Sequence, residues 1–465
     1  MGFQKVNKED ILKLTEIVGK ENILSGKDIQ EDYAKDELGT VKVYPDVVVF
    51  CSTTKEVSKV MKYAYDKTIP VTVRGSGTGL VGGSVPIKKG ILLVLTKFNK
   101  ILNLDEKNLC LEVEPGVLIM DIYDYVEAHG LFYAPDPGEK TATIGGNVAT
   151  NAGGMRAVKY GITRDWVRAL EVVLADGTVE TFGRVVAKNS TGYSLKDLII
   201  GSEGTLGIIT KIYLRLIALP EKAISLLVPF TSFDKAIEAV PKILRSRLTP
   251  TAVEFFEKDT IKFAENFLGK KFPDGKYPAY LLLTFDGQTK DEIKASFQKG
   301  ADLLIDELEA ADCLIVDTDE RKDDVWSARG SFLEAIKAST TEMDECDVVV
   351  PRSQVAEFIK YTKEVSKDLK VRIPSFGHAG DGNLHIYICR DDLNKEEWEK
   401  VLKEAFKRFY EKASLMGGLA SGEHGIGFAK KDYMSSMLGK TQTRIMKEIK
   451  KVFDPKGILN PGKIV

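Results

Sequence analysis

Two short glycine-rich segments near the C-terminus concentrate residues that could carry chemistry. They are residues 378–385 (His-Ala-Gly-Asp-Gly-Asn-Leu-His) and 422–427 (Gly-Glu-His-Gly-Ile-Gly), and together they hold three of the four histidines in the chain. The Asp-Gly pair in the first segment is a strong signal for a two-residue hairpin turn. Such a turn places His378 directly opposite His385, with Cβ atoms about 5 Å apart. Two imidazoles held in this way can share one metal ion.

Glu423 and His424 in the second segment add a carboxylate and a further imidazole. A catalytic divalent-metal site with an open position needs ligands of about this number and type. Zinc, iron(II) and manganese(II) all accept ligation by two histidines and a carboxylate, so the residues leave the identity of the metal open. From spacing alone, an ordinary pair of histidines on a surface hairpin stays the alternative interpretation.

A glycine-rich loop at residues 74–86 contains Gly77-x-Gly79-x-x-Gly82, the spacing of the dinucleotide-binding fingerprint. That fingerprint must open a helix. Here a proline and the predicted strand Ile91–Leu95 follow instead, which argues against a Rossmann fold. A loop between two strands can still bind a pyrophosphate, because successive backbone N–H groups without side chains form an anion-binding nest.

Two further segments are rich in small residues. Residues 141–154 consist mainly of glycine, alanine, threonine and asparagine and carry no charge, and residues 201–210 read Gly-Ser-Glu-Gly-Thr-Leu-Gly-Ile-Ile-Thr. This composition lets the backbone approach a planar ligand closely, with asparagine and threonine as hydrogen-bond partners. Three such segments within one domain predict that the protein binds a large cofactor.

Length and composition narrow the class of protein. A chain of 465 residues with 43% hydrophobic and 29% charged residues predicts a soluble globular protein of two or three domains. The net charge of -2 argues against a nucleic-acid surface, and no stretch resembles a transmembrane helix or a signal peptide, so we expect a cytoplasmic protein. The five cysteines form no Cys-x-x-Cys pair, which argues against an iron–sulfur cluster or zinc ribbon.

The pattern of predicted helices and strands, which must position these segments, divides the chain into four parts. A helical lead-in spans residues 1–40, a strand-rich domain spans 41–220, a substrate or cap domain spans 221–415, and a C-terminal segment spans 416–465. In the third part a strand followed by a helix occurs twice, which predicts an antiparallel sheet covered by helices on one face. A long, charged amphipathic helix is expected at residues 395–415.

The three glycine segments, in this order, resemble the FAD-binding domain of the p-cresol methylhydroxylase/vanillyl-alcohol oxidase flavoproteins. The later motifs, HAGDGNLH, GEHGIG and the closing NPGK, are similar to the branch that oxidises D-2-hydroxy acids: D-lactate dehydrogenases, glycolate oxidase subunits and D-2-hydroxyglutarate dehydrogenase. The match covers roughly residues 41–465. It implies an α+β fold with a two-subdomain FAD-binding domain, an α/β cap domain with an antiparallel sheet, and a C-terminal segment that returns to the flavin.

The resemblance also implies roles for individual residues. His378, His385 and Glu423 would hold one divalent metal ion. His424 would be the catalytic base, and Arg329 would bind the substrate carboxylate. The residues that would contact FAD are Arg74, Gly75, Ser76, Gly77, Thr78, Gly79, Leu80, Gly82, Pro135, Thr143, Gly146, Asn147, Gly153, Glu203, Gly204, Gly207, Ile209 and Asn460.

Two departures from the family pattern refine these expectations. Some relatives attach FAD to a histidine in the pyrophosphate loop, whereas this chain has Thr78 in that region, so we expect non-covalent FAD. Glu345 stands where the hydroxyglutarate enzymes have a lysine that helps to bind a second carboxylate. This difference favours a small substrate such as D-lactate, with glycolate or D-2-hydroxyglutarate as alternatives.

The sequence contains no motif for a second redox centre that could reoxidise the flavin. The resemblance therefore implies an external acceptor, and we expect an electron-transferring flavoprotein, ahead of a quinone or cytochrome and well ahead of oxygen. Two other interpretations stay open: a flavin-dependent transferase without net redox chemistry, like the ether-lipid synthases on this fold, and a non-catalytic FAD-binding subunit. The histidine motifs argue against both.

Overall fold

The computed structural model describes residues 2–246 and 248–465, which fall into two compact units. The first unit contains Met1–Gly153, Ile162–Ala218 and Glu423–Val465, and the second contains Gly154–Gly161 and Leu219–Gly422. By this division the N-terminal lead-in belongs to the first unit. The expected C-terminal segment is divided after Gly422, with its first residues in the second unit. No helix in the described ranges is long and apolar enough to cross a membrane.

Eleven strands build the sheets that the described residues of the first unit form. They are β1 (Ile23–Ser25), β2 (Val47–Phe50), β3 (Val71–Arg74), β4 (Ile91–Val94), β5 (Ile101–Asp105), β6 (Cys110–Val113), β7 (Leu131–Phe132), β8 (Val167–Val173), β9 (Val179–Gly183), β10 (Ile208–Arg215) and β11 (Ile217–Ala218). A four-stranded sheet has the order β1-β2-β4-β3, a five-stranded antiparallel sheet has the order β5-β6-β10-β8-β9, and β11 pairs with β7. Strands β2, β4 and β3 run parallel.

The helices of this unit are Lys8–Val18, Thr54–Lys67, Ile119–Ala128, Ile144–Thr150, Thr163–Trp166, Leu195–Ile199 and Lys431–Phe453, the last broken at Gly439. The lead-in was expected to be helical, but it also supplies β1, which pairs with β2. The expected strand–loop–strand order around the first glycine loop is confirmed, because β3 leads through the loop to β4 without a helix. A core around Leu14, Val60, Leu93 and Leu459 ties both ends of the chain to the first sheet.

The second unit is built on one seven-stranded sheet. Its strands are β12 (Lys222–Phe230), β13 (Ala252–Glu257), β14 (Ala279–Gly287), β15 (Leu314–Val316), β16 (Met343–Val349), β17 (Ser375–His378) and β18 (Asn383–Cys389). All neighbours are antiparallel in the order β15-β12-β14-β13-β17-β18-β16, as the sequence predicts. Its helices are Ala157–Tyr160, Phe233–Arg245, Lys258–Leu268, Lys290–Asp302, Asp319–Gly330, Phe332–Ala338, Val355–Leu369 and Lys395–Leu415, with a π turn at Leu303–Glu307.

The prediction that helices cover one face of this sheet is wrong. Neighbouring residues of β13 point to opposite faces. Phe255 packs on Phe233 of one helix, whereas Phe256 packs on Phe332 of another. Helices therefore cover both faces of β13. Strand β18 is buried at every position, although polar residues such as Asn383 and His385 alternate in it with aliphatic ones. The predicted helix Lys395–Leu415 is confirmed.

Candidate active site

The first glycine loop presents an unusual stretch of free backbone donors. Within the described chain, no backbone N–H from Ser76 to Ser84 donates a hydrogen bond to another residue. Gly77 has φ +84°, and a Cβ on it would overlap the Arg74 guanidinium. A Cβ on Gly75 would overlap the Oγ1 of Thr143. A run of unused N–H groups on a backbone that cannot carry side chains is an anion nest, so the loop fits a pyrophosphate.

The structure brings the three glycine segments together within the first unit. The hydroxyl of Ser76 donates to the carbonyl of Thr141 at 2.8 Å. The backbone N–H of Glu203 donates to the carbonyl of Ala149 at 2.8 Å. The first and third segments are therefore both bonded to the second.

The second segment carries a polar group that lacks a partner within the described protein. Thr143 caps the helix Ile144–Thr150 and accepts a hydrogen bond from the N–H of Gly146. One turn on, the Nδ2 of Asn147 is buried without a hydrogen-bond acceptor. Buried amide donors are rarely left unpaired. A ligand that supplies an acceptor at this point would satisfy Asn147, which agrees with a cofactor in contact with this segment.

The C-terminal motif connects two of these segments. The Nδ2 of Asn460 donates to the carbonyls of Gly83 (2.9 Å) and Glu203 (2.8 Å). The ammonium of Lys463 donates to Gly83 (3.0 Å) and Val85 (2.7 Å). Burial lowers the pKa of Lys463 to about 8, although Glu203 and a nearby aspartate favour its charged form. The closing segment thus holds the loops in place, and a contact of Asn460 with the flavin stays a prediction.

Glu203 has a role that the sequence did not indicate. Its carboxylate accepts hydrogen bonds from the backbone N–H groups of Ile426 (2.7 Å) and Gly427 (2.8 Å). Burial raises the pKa of Glu203, while these two N–H groups and two lysines oppose the shift. A residue expected to contact FAD therefore anchors the segment that carries His424, the expected base. A glutamate between two glycines was its sole signal in the sequence.

The other expected FAD residues divide into loop and packing positions. Thr78, Gly79, Leu80 and Gly82 lie in the first loop, Gly204 has φ +71°, Ile209 lies in β10, and the carbonyl of Pro135 accepts from Tyr123 at 2.6 Å. Gly207 packs on β8, because a Cβ there would overlap Val172. A Cβ on Gly153 would come within 3.0 Å of the Cβ of Glu423. Gly153 therefore lies where the second glycine segment meets the expected metal ligand.

In the second unit, the predicted hairpin forms with a different register. The expected turn on Asp381-Gly382, with His378 opposite His385, is wrong: His378 pairs with Asn383, and His385 pairs with Phe376. The reason is a longer loop, in which the N–H groups of Asp381 and Gly382 both donate to the carbonyl of His378 (3.2 and 3.1 Å). The two histidines become diagonal neighbours on the same face of the sheet.

The imidazoles nevertheless converge. Their Nε2 atoms lie 3.5 Å apart, the rings are nearly perpendicular, and both residues are buried. The Nδ1 of His378 faces Glu254 at 2.6 Å, and the Nδ1 of His385 faces Glu345 at 2.8 Å. Carboxylates accept hydrogen bonds, so each Nδ1 carries a proton, and in the neutral imidazole the Nε2 lone pair points towards the other ring.

Two neutral imidazoles in this arrangement repel each other unless a cation lies between their Nε2 atoms. Metal–nitrogen bonds of about 2.1 Å at a tetrahedral centre place two ligand nitrogens about 3.4 Å apart. The histidine pair, with each outer nitrogen held by a carboxylate, has the arrangement found around metal-binding histidines. The donor set therefore fits a divalent metal ion.

The remaining metal and base residues follow directly along the chain. Asp347, which pairs with His385 across β16 and β18, accepts from the hydroxyl of Ser421 (2.7 Å) and from the N–H of Gly422 (3.2 Å). Glu423 is the next residue, and its Oε1 lies 3.8 Å from the Nε2 of His424. Their roles as metal ligand and base stay predictions.

Arg329 is buried and bonded to Glu254. Its Nε (2.9 Å) and Nη2 (2.5 Å) donate to the Oε2 of that carboxylate, and the guanidinium lies over the ring of Phe376. Burial raises the pKa of Glu254, but His378 and Arg329 outweigh this effect, so the pKa lies below its ordinary value. Glu254 therefore occupies the Nε and one Nη2 donor of Arg329, and the predicted contact with a substrate carboxylate is left to Nη1 and the second Nη2 hydrogen.

Sequence reasoning missed Glu254 and Asp347, both fully buried. A charged residue in the middle of the otherwise apolar run Ala-Val-Glu-Phe-Phe could have indicated Glu254, because buried charges need partners. Glu345 was noticed as a departure from a family pattern, but its bond to His385 was not foreseen.

Comparison with known proteins decides the family. Residues 45–183 match the FAD binding domain family, and residues 219–464 match the C-terminal domain of FAD linked oxidases. The chain belongs to the FAD-linked oxidases. This FAD-linked oxidase is accordingly an FAD-dependent oxidoreductase, and the resemblance seen in its motifs is confirmed.

Three relatives match this oxidase over most of their length. D-lactate dehydrogenase of Anaerostipes hadrus is 48% identical over 99% of this chain and 98% of its own. D-lactate dehydrogenase of Archaeoglobus fulgidus is 38% identical over 90% and 91%, and glycolate oxidase subunit GlcD of Bacillus subtilis is 37% identical over 97% and 96%. Among solved structures, p-cresol methylhydroxylase with substrate bound superposes with a TM-score of 0.82 at 19% identity, over 100% of this chain and 98% of that one, which confirms the fold class.

Proposed function

We propose that this FAD-linked oxidase oxidises a small D-2-hydroxy acid, in the first place D-lactate, to the 2-oxo acid. The observation that carries the proposal is the His378–His385 pair, whose Nε2 atoms face each other at 3.5 Å while carboxylates hold both Nδ1 atoms. The names of the two D-lactate dehydrogenases among the relatives support the choice of substrate.

The chemistry requires the loss of a hydroxyl proton and of a hydride from the same carbon. His378, His385 and Glu423 would hold one divalent ion, which when bound acts as a Lewis acid on the substrate hydroxyl. His424 accepts the hydroxyl proton on an imidazole nitrogen, a role for general bases that is typically worth roughly 10²–10⁴-fold in rate. The hydride acceptor would be supplied by FAD, held in the glycine loops of the first unit.

The protein contributes orientation as well as proton transfer. The N–H donors of Arg329 that Glu254 does not use, on Nη1 and Nη2, bind the substrate carboxylate, and the bonds to Glu254 fix the orientation of the guanidinium. The loop from Ser76 to Ser84 holds the pyrophosphate of FAD through backbone N–H groups, without a covalent bond. Thr78 replaces the histidine that some relatives use for attachment.

A small monocarboxylic substrate is favoured over a dicarboxylic one by Glu345. This carboxylate is bonded to His385 and adds a negative charge beside the metal ligands. A second substrate carboxylate would meet this charge instead of a lysine. Glycolate and D-2-hydroxyglutarate are therefore the weaker candidates.

Electrons must then leave the flavin. The sequence has no Cys-x-x-Cys pair and no other cluster motif. We propose an electron-transferring flavoprotein as the acceptor, with a quinone or cytochrome as the alternative. Reoxidation of the substrate-reduced protein by each purified acceptor, followed at the flavin absorbance, compares them directly.

The test of the substrate is anaerobic bleaching of the visible flavin absorbance. D-lactate, L-lactate, glycolate and D-2-hydroxyglutarate are added separately to protein with and without chelator treatment. We expect D-lactate to bleach the flavin most rapidly, and we expect chelation to abolish the reaction and added zinc, iron(II) or manganese(II) to restore it. Protein that contains FAD and metal but is bleached by none of the four acids would overturn the proposal.

A further inference from the structure

Glu254 is a fully buried carboxylate in the middle of a central strand, β13. An ionised group at such a position is tolerated only when charged or hydrogen-bonding partners compensate for the loss of water. Its two oxygens have different partners. Oε1 accepts from the Nδ1 of His378 at 2.6 Å, and Oε2 accepts from the Nε and Nη2 of Arg329.

We propose that Glu254 is a positioning residue that couples the metal site to the carboxylate-binding site. One carboxylate holds His378 in the tautomer whose Nε2 can bind the metal, and it also fixes the plane of Arg329. A 2-hydroxy acid carries its hydroxyl and carboxylate on adjacent carbons, so metal and guanidinium must keep a constant separation. A single buried side chain bonded to both provides that constraint. The inference rests on the proposed function.

A neutral side chain of the same shape cannot serve both partners. The amide introduced by Glu254→Gln has one acceptor oxygen. If that oxygen faces His378, the amide N–H₂ group confronts the N–H donors of Arg329. If it faces Arg329, the amide donates to the Nδ1 of His378, and the imidazole proton must move to Nε2, where it blocks metal binding. Bound metal selects the first orientation and leaves Arg329 unsupported.

Glu345 offers a matched control. Its carboxylate is bonded to the Nδ1 of His385, as Glu254 is to the Nδ1 of His378, whereas Arg329 is bonded to Glu254. Glu345→Gln should therefore disturb the metal site without disturbing the guanidinium. The comparison of the two variants separates an effect on metal binding from an effect on both sites.

The experiment measures two quantities in holoprotein containing FAD. The first is zinc affinity, by competition with a chromophoric chelator. The second is the Kd for D-lactate at saturating zinc, from the concentration dependence of anaerobic flavin reduction, with the limiting rate obtained separately. We expect both variants to lose roughly 10–100-fold in zinc affinity. We expect Glu254→Gln to raise the D-lactate Kd by roughly 10–100-fold, and Glu345→Gln, which leaves Arg329 bonded to Glu254, to raise it clearly less.

Unchanged or tighter D-lactate binding in Glu254→Gln at saturating zinc would overturn the coupling. So would an equal increase of the Kd in both variants. Failure of the wild-type protein to bind zinc, iron(II) or manganese(II), or to react with any of the four 2-hydroxy acids, would instead overturn the proposed function, so the two failures are distinguishable.

Glu254→Gln leaves the buried Arg329 without its anion, which destabilises the fold. A second variant therefore separates the loss of coupling from misfolding. In the double variant Glu254→Gln/Arg329→Met that cation is absent, and the amide oxygen can turn to His378. We expect zinc affinity within about tenfold of wild type and a loss of D-lactate affinity as large as in Arg329→Met alone. Zinc affinity as low as in His378→Ala would contradict the assignment.

Discussion

The two units of the molecule prepare for ligands in opposite ways. In the first unit, the backbone binds the ligand: glycines keep the loop backbone accessible, and the N–H groups from Ser76 to Ser84 are available for an anion. In the second unit, side chains bind the ligand. The buried acids Glu254 and Asp347 and the partly exposed Glu345 hold two histidines and the chain before Glu423 in place. A site built from the backbone should be disrupted by an added side chain, whereas a site built from charged side chains should be disrupted by the loss of a charge.

This difference predicts the largest effect for the second unit. His385→Ala removes one of two Nε2 donors, so the metal should be lost and flavin reduction by D-lactate should fall by roughly 10³-fold or more, since Lewis-acid activation of the hydroxyl is worth several kcal/mol. FAD content should not change. Anaerobic stopped-flow reduction and metal analysis of the purified variant measure both quantities.

The matched control is His129→Ala. His129 is exposed, follows the helix Ile119–Ala128 and contacts the carbonyl of Tyr125. It should leave reduction and metal content as in wild type. Retention of wild-type metal by His385→Ala would show that the two imidazoles do not share an ion.

The same difference explains what the sequence could and could not predict. The glycine loops could be predicted from the sequence, because their glycine content is what lets the backbone approach a ligand. The strand–loop–strand prediction for residues 70–95 agrees with the structure. The network around Glu254 is not visible, because its partners are 75 and 124 residues away in the chain and meet through sheet pairing. The hairpin lies between these cases: a hairpin was predicted here, but the loop around the carbonyl of His378 gives its strands a different register.

A buried acid in the first unit tests whether that unit also depends on side-chain charge. Burial raises the pKa of Asp36 to about 6 from an ordinary value of 3.8, against the opposing effects of the Leu38 N–H and of Arg74 and Lys463. A folded-state pKa above the unfolded value means that the folded protein binds the proton more tightly. Stability from this group is therefore complete below about pH 3.8 and is lost as the pH rises through about 6.

We expect Asp36→Asn, which cannot titrate, to remove this dependence of the free energy of unfolding on pH. In FAD-free protein, the free energy of unfolding of wild type should fall relative to the variant between pH 4 and 6.5, by at most about 3 kcal/mol. Urea unfolding at several pH values measures it. Asp66→Asn, which alters an exposed ion pair with Lys62, is the control. Parallel profiles for wild type and Asp36→Asn would show that Asp36 titrates normally.

The smallest expected effect comes from adding one carbon to the backbone site. Gly75→Ala places a methyl group on the Oγ1 of Thr143, the residue that caps the helix carrying Asn147. Relief of that overlap must move the loop or the helix cap, and overpacking of this kind costs about 2 kcal/mol, or roughly 30-fold in FAD affinity. Gly300→Ala, in the helix Lys290–Asp302, meets ordinary contacts of 3.8 Å and should not weaken FAD binding. Fluorescence titration of FAD-free protein measures both affinities. If Gly75→Ala bound FAD as wild type does, the close approach of this loop to Thr143 would not limit cofactor binding, and the backbone of the first unit would be more tolerant than the charged network of the second.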